Sequence, residues 1–394
     1  MLPGTAASIS GPASLLAWIF DGILGLPLAL TFAFLAARFP DAGGVATFTS
    51  RAFGATWGAI VGWFYFFAAT VAQAVVLLSG GYYIASALGW GRSGSFLAGF
   101  LLLALAVGAN LYGLRLSGKI QLVLAGGVSL LLLLASIAAL PHIKTSFFIP
   151  FLPHEWIAVG QSTVLLFFAF FGWEAIAQLS AEFKNPARDI VRSTIWSVII
   201  VTILYVLVAF AIVGTGTYGT ASQDQVTLGS LLASFFGGGF QYATALIALG
   251  TANAYVAATA RLGHALGRDE AFPAWVGKLN AQGIPRRAVL VVGGLATAGM
   301  LGSYFFQWEP ATLLAIPTSL GLATYLVGMA AGIRLLSSWK KLVAGSAFLF
   351  CCAVLPFAGA SIFWPLLLAT GAILYRQGRK ISRRSLPSGM KHRT

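Results

Sequence analysis

Residues 160–192 read GQSTVLLFFAFFGWEAIAQLSAEFKNPARDIVR. The stretch begins as an apolar helix. It then reaches Phe170-Phe171-Gly172-Trp173-Glu174-Ala175, where a glycine and a carboxylate stand inside sequence that should lie in lipid, and it ends in the charged turn Glu182-Phe183-Lys184-Asn185-Pro186. An ionisable residue at membrane depth is costly and marks a functional site by default. The glycine beside it lets the backbone leave the helix. Unwound backbone at that depth is tolerated only where it lines a cavity. A broken helix facing a cavity is how secondary transporters build a solute site. Gly172–Glu174 is therefore expected to form half of such a site.

The rest of the chain agrees with a membrane setting. Of 394 residues, 58% are hydrophobic and only 9% charged, against roughly 25% charged in soluble proteins; mean hydropathy is +0.87. Each span of a bilayer takes about 20 apolar residues. The expected fold is an all-α polytopic membrane protein, one transmembrane domain over 1–394. Full spans are expected at 14–39, 56–88, 94–112, 117–140, 157–181, 190–214, 229–266, 287–306, 310–336, 340–358 and 361–376, with an N-terminal stub at 1–8. The runs 56–88 and 229–266 exceed what a bilayer needs and imply tilt or projection.

The net charge of +14 would suggest nucleic acid in a soluble protein, but its distribution excludes that reading. With Arg38 placed in the cytoplasm, 22 of the 24 Lys and Arg residues fall on the cytoplasmic side, Arg92 and Lys144 being the others. This is the positive-inside pattern of a multi-pass protein of the inner (plasma) membrane with its C-terminus in the cytoplasm. The basic tail 377–394 then reads as an anchor on the inner leaflet. The same count makes the first full span run from outside to inside, so a preceding helix should bring the chain out; the first half of that helix is expected to be missing ahead of Met1. Cys351 and Cys352 are adjacent in an apolar run and read as packing residues. No cleavable signal peptide is visible.

Only Asp21 and Glu174, of ten acidic residues, fall inside spans. Glu174 follows the Gly172 break and suits a proton-coupling role. Asp21 precedes Pro27 with no pattern of its own and is expected to be structural. Helical spacing would put Phe167, Phe170 and Phe171 on one face and Phe168 nearer another. Gln73, Thr251, Asn253, Thr318 and Ser319 are polar residues in other spans that could line the same cavity or bond between helices. Metal-protease, P-loop and CxxC motifs are absent, the four histidines are scattered, and neither an enzyme nor a cofactor or metal site is expected.

Several stretches resemble the amino acid–polyamine–organocation (APC) superfamily of permeases: Leu2-Pro3-Gly4, Gly11-Pro12-Ala13, Leu35-Ala36-Ala37-Arg38-Phe39-Pro40-Asp41-Ala42-Gly43-Gly44, Ala52-Phe53-Gly54, Gly62-Trp63, Phe171-Gly172-Trp173-Glu174-Ala175, Ala260-Arg261 and Ile284-Pro285. Glu182–Asp189 is similar to the bacterial branch that exports L-methionine and branched-chain amino acids. The resemblance implies a LeuT-type fold of two inverted repeats, 1–140 and 157–336, and two additional helices at 340–376. It implies substrate amine binding by backbone around Phe168, Ala169, Phe170, Phe171 and Gly172, and carboxylate binding at Leu2, Pro3 and Gly4. With Gln73, Asn253 and the proton-coupling Glu174, these are the candidate site residues. The implied activity is efflux of neutral apolar amino acids, with the proton as coupling ion; an uptake permease or exchanger of the same fold, and a non-transporting sensor or remnant, are the rivals.

Overall fold

A computed structural model describes residues 1–39, 43–113, 118–174, 183, 185–236, 240–308 and 310–385. Among these residues the regular structure is entirely helical. In order, the helices are α1 (Leu2–Ser10), α2 (Ser14–Arg38), α3 (Gly44–Phe53), α4 (Ala55–Leu88), α5 (Arg92–Leu111), α6 (Gly118–Ala139), α7 (Trp156–Phe167), α8 (Pro186–Thr215), α9 (Ala221–Phe236), α10 (Phe240–Arg268), α11 (Arg286–Phe305), α12 (Pro310–Leu335), α13 (Trp339–Val354) and α14 (Phe363–Ser385). Nine helical stretches of the described residues are long and apolar enough to cross a membrane, and Trp156–Phe170 is a shorter apolar one. Two of the nine join expected elements: Leu2–Arg38 holds the stub and the first full span, and Trp339–Arg379 holds the last two, which break apart at Gly359, φ +55°. Ten of the expected eleven spans and the stub are thereby accounted for; of the eleventh, 157–181, the described helix runs only to Phe170 and the residues from 175 lie outside the described ones. One boundary is corrected. The long run 229–266 is two helices, because residues to Phe236 belong to α9, which packs on α1, and α10 starts only at Phe240. Pro40–Ala42, Ala175–Glu182, Gly237–Gly239 and the tail from 386 lie outside the described residues.

Helix α4 is the spine. Its 34 residues reach roughly 50 Å at 1.5 Å per residue, more than the ~30 Å hydrocarbon core. It packs against α3, α5, α10, α11, α12 and α14, and small residues let those helices come close. A side-chain carbon added at Gly81 would lie 2.2 Å from the Ser95 carbonyl oxygen and 2.8 Å from the Gly99 nitrogen, so α4 and α5 cross backbone to backbone. Helix α5 turns Leu97, Leu101 and Leu105 outward and Ala98, Leu102 and Ala106 inward. Both faces are apolar, as a lipid-facing helix requires. Helix α2 forms the second packing centre, against α7, α8, α12 and α13.

The basic residues collect at one end of the bundle. Arg38 donates to the Leu335 carbonyl and Arg376 to that of Ala55. Arg51 stacks over Phe39, Arg334 over Phe53 and Lys340 over Phe34. Arg92 sits at the other end, donating to the Ser303 carbonyl.

The α4–α5 crossing sets an expected outcome. Gly81→Ala forces rigid backbones apart and should destabilise the protein at the upper end of the ~1–3 kcal/mol typical of overpacking. Gly108→Ala on α5, with no neighbour within 4 Å of the added carbon, should be neutral or stabilising by up to about 1 kcal/mol. Melting temperatures of the two variants in one detergent, with the monodisperse fraction of each, check this.

Candidate functional site

Helix α7 stops at Phe167 because its ladder is broken from outside. A single 3-10 turn, Phe168–Phe170, follows, and Phe171 is extended. Gly172 then takes φ +134°, a conformation L side chains rarely adopt. The amides of the break find a partner elsewhere: the Tyr325 hydroxyl of α12 accepts from Gly172 N–H at 2.9 Å and from Trp173 N–H at 3.1 Å. That hydroxyl in turn donates to the Glu174 carboxylate. Glu174 Oε2 also accepts from Gly172 N–H at 3.1 Å. Tyr325 is fully buried, with its ring against Phe32, Phe167 and Phe171. One phenol thus satisfies two freed amides and orients one carboxylate.

Beside the break lies a cavity of about 410 Å³, within the ~300–1,000 Å³ usual for small-molecule sites. It is walled by α1, α2, α4, α6, α8, α9, α10 and the turn after α7. Among the described residues its lining contains no Asp, Glu, Lys, Arg or His side chain. Polar groups are few, chiefly Gln73, Ser79, Thr244, Thr251 and the phenols Tyr83, Tyr205 and Tyr255, among valines, phenylalanines and isoleucine. Gln73 is buried; its Nε2 donates to Thr259 at 3.0 Å, while its Oε1 has no partner among the described residues.

The family model for amino acid permeases matches residues 2–390. The chain belongs to the amino acid permease family. This permease is 31% identical over 389 residues to the uncharacterized amino acid permease YecA of Bacillus subtilis, covering 95% of this chain and 90% of that one. It is 28% identical over 389 residues to the L-methionine/branched-chain amino acid exporter YjeH of Escherichia coli, with 96% and 91% covered. The branched-chain amino acid permease BcaP of Lactococcus lactis is 26% identical over 343 residues, with 77% and 71% covered. The molecule is a multi-pass membrane transporter, not an enzyme, and its substrate is an amino acid.

The expected site residues of the permease divide in two. Leu2, Pro3, Gln73, Phe168, Ala169 and Phe171 line the cavity, as does Thr251. Gly4 does not, because it faces α9: a carbon added there would lie 2.1 Å from Thr227 Oγ1. Asn253 instead bonds between helices, accepting from Asn110 Nδ2 at 2.8 Å. Thr318 and Ser319 donate to carbonyls of their own helix, those of Leu314 and Ile316. The expected grouping of the phenylalanines is also corrected. In a 3-10 turn, residues three apart eclipse, so Phe168 and Phe171 share the cavity. Phe170 is buried away from it, between Trp18 and Tyr205. Gly172 sits behind the wall, where an added carbon would lie 2.9 Å from the hydroxyl of the cavity residue Tyr255. Glu174 is buried off the cavity, on Tyr325. Tyr325 itself escaped the sequence reading. No local pattern distinguishes it, and its partners lie about 150 residues upstream.

Tyr325→Phe keeps the ring packing and removes the shared partner. Trp173 N–H then lacks its acceptor, and the Gly172 amide and Glu174 Oε2 keep only each other, so a loss of about 1–3 kcal/mol is expected. Melting in detergent should fall accordingly, and transport should fall more steeply than in Asn253→Ala, whose change lies off the break.

Proposed function

We propose that this permease is a secondary transporter of neutral apolar amino acids, with methionine, leucine, isoleucine and valine as substrates, exporting them by alternating access coupled to protons. The observation carrying this reading is that two opposed helix ends meet at one cavity whose described lining carries no charged side chain. Leu2 and Pro3 bring the start of α1, the positive end of its dipole and a set of backbone N–H groups, which suits a carboxylate. The turn after α7 brings the negative end, where the last carbonyls of a helix lack helical donors, which suits an ammonium group. Gln73 Oε1 offers a further acceptor. The walls around these ends, including Val75, Val76, Phe171 and Ile247, suit an aliphatic side chain. A substrate with a charged side chain would find no countercharge there and would lose its hydration.

The name of the Escherichia coli relative, an exporter of methionine and branched-chain amino acids, supports both substrate class and direction. The name of the Lactococcus lactis relative, a branched-chain amino acid permease, supports the class and favours a second reading as an uptake permease or exchanger. In the proposed topology the basic end of the bundle and the C-terminus face the cytoplasm of a cell with one plasma or inner membrane around it. Segments 1–140 and 157–336 act as the two inverted repeats, with 340–376 outside them.

Counterflow in proteoliposomes tests this. Vesicles loaded with unlabelled leucine, isoleucine, valine or methionine should take up labelled leucine transiently; vesicles loaded with arginine or glutamate should not. Counterflow with the charged amino acids alone would overturn the substrate class.

A further inference from the structure

Resting on the permease reading above, we propose that Asp21 is the proton-binding site through which a proton gradient drives the broken helix. Asp21 stands in the first third of α2 and is 1% exposed. Neither of its carboxylate oxygens has a hydrogen-bond partner among the described residues. An ionised carboxylate in that condition is prohibitively costly in a dry interior, so the group rests there as the neutral acid. Glu174, the other buried acid, differs in one oxygen: Tyr325 and the Gly172 amide bond its Oε2, while its Oε1 has no partner among the described residues, and its role in this proposal is to clamp the break.

The surroundings of Asp21 hold other unpartnered polar groups. Ser14, Trp18 and Asp21 repeat at helical spacing on one face of α2, and all three are buried. Ser14 Oγ and Trp18 Nε1 likewise have no partner among the described residues, nor does Thr202 Oγ1 of α8 across the seam. A carbon added at Gly22, next to Asp21, would lie 3.1 Å from that Thr202 oxygen. Such a seam of unsatisfied donors and acceptors is where water enters when packing loosens. It also reaches the cavity, because Trp18 lines it.

The seam touches the moving part. Trp18 packs on Phe170 at 6.3 Å and on Tyr205 at 5.1 Å between ring centroids. A carbon added at Gly25, one turn beyond Asp21, would lie 3.1 Å from Phe170 Cδ1. Phe170 belongs to the 3-10 turn whose neighbours Phe168, Ala169 and Phe171 face the cavity. Rearrangement of the turn around a substrate therefore opens or closes the seam beside Asp21. With the seam closed, the acid keeps its proton; with it open to water, the proton leaves. Linkage makes the effect reciprocal, so protonation biases the turn.

No other titratable group answers for this behaviour. The elements packed on α2 carry Arg188, Asp189, Arg192 and Tyr205 on α8, Glu174 after α7, Tyr325 and Arg334 on α12, Arg51 on α3, and Lys340, Lys341, Cys351 and Cys352 on α13. None of these is hydrogen-bonded to Asp21, whose carboxylate oxygens have no partner among the described residues.

The test uses the full chain in proteoliposomes and two measurements. With one proton per substrate, a gradient of about one pH unit drives up to about tenfold accumulation. Asp21→Asn should abolish that accumulation and flatten the pH profile, while counterflow at equal pH on both sides persists. Glu174→Gln should still respond to the gradient. A gradient response in Asp21→Asn equal to the unaltered chain, or its loss in Glu174→Gln alone, overturns the assignment. Absence of counterflow in the unaltered chain would instead sink the transport reading. The second measurement needs no transport: infrared difference spectra across a pH step should contain a protonated-carboxyl C=O band that vanishes in Asp21→Asn, and in Asp21→Ser if the first variant fails to assemble. A band that survives both substitutions also overturns the proposal.

Discussion

A helix can be broken inside a membrane only if something other than water takes up the freed backbone groups. In this permease that duty falls on a single phenol. Tyr325 accepts from the amides of Gly172 and Trp173 and donates to Glu174. Everything that makes the cavity depends on it: the end of α7 at Phe167, the 3-10 turn that sets Phe168 and Phe171 in register, and the extended step at Phe171. The tie is also local in a useful way. It joins α12 to the break by one group, while the cavity side of the turn touches only apolar surface and a few hydroxyls. The hydrogen bonds hold the backbone of the turn, while its rings pack on Trp18, Tyr205, Tyr65 and Tyr325.

Much of this was legible in the sequence, for definite reasons. Glycine next to a carboxylate at membrane depth has few structural excuses, so Phe171-Gly172-Trp173-Glu174 announced the break correctly. The charge alternation located spans because a missed helix would have reversed the sign of every later loop. What stayed hidden depends on contact across the fold. Tyr325 is one of eleven tyrosines and carries no local mark. Gly4 was drawn into the site by the resemblance and Asn253 as a polar residue in a span, but the α-carbon of Gly4 packs against α9 and the Asn253 side chain bonds to Asn110 of α5. The helical period misplaced Phe168 because the residues around it follow the tighter 3-10 period. The run 229–266 looked like one span because composition does not record a change of direction between α9 and α10.

The shell around the cavity explains why its lining can be uncharged. The start of α1 and the end of α7 supply partial charges of both signs from backbone alone, and such dipoles cost no desolvation of a full charge. A zwitterion can be met without a lysine or a carboxylate in the wall. Helix α9 closes the arrangement at α1: Ser8 donates to Asp224 at 2.6 Å, and Gly4 admits Thr227. The start of α1 is thus held by a helix that also contributes Leu228 to the cavity.

An uncharged substrate wall has a consequence for coupling. If no side chain in the cavity changes charge, a proton cannot act on the substrate by direct attraction, and it must act on the geometry of the site. The group that receives it should then lie off the cavity, buried in one arrangement and wet in another, and in contact with the part that moves. Glu174 meets the first condition but is fixed in place by its hydrogen bonds. Asp21 lies off the cavity and buried, and in the proposed mechanism it is wetted through the unpartnered polar groups toward α8, with Trp18 at the cavity and Phe170 beside the turn linking it to the part that moves. Separation of substrate and proton onto opposite sides of one short turn makes the turn the only element both ligands must share.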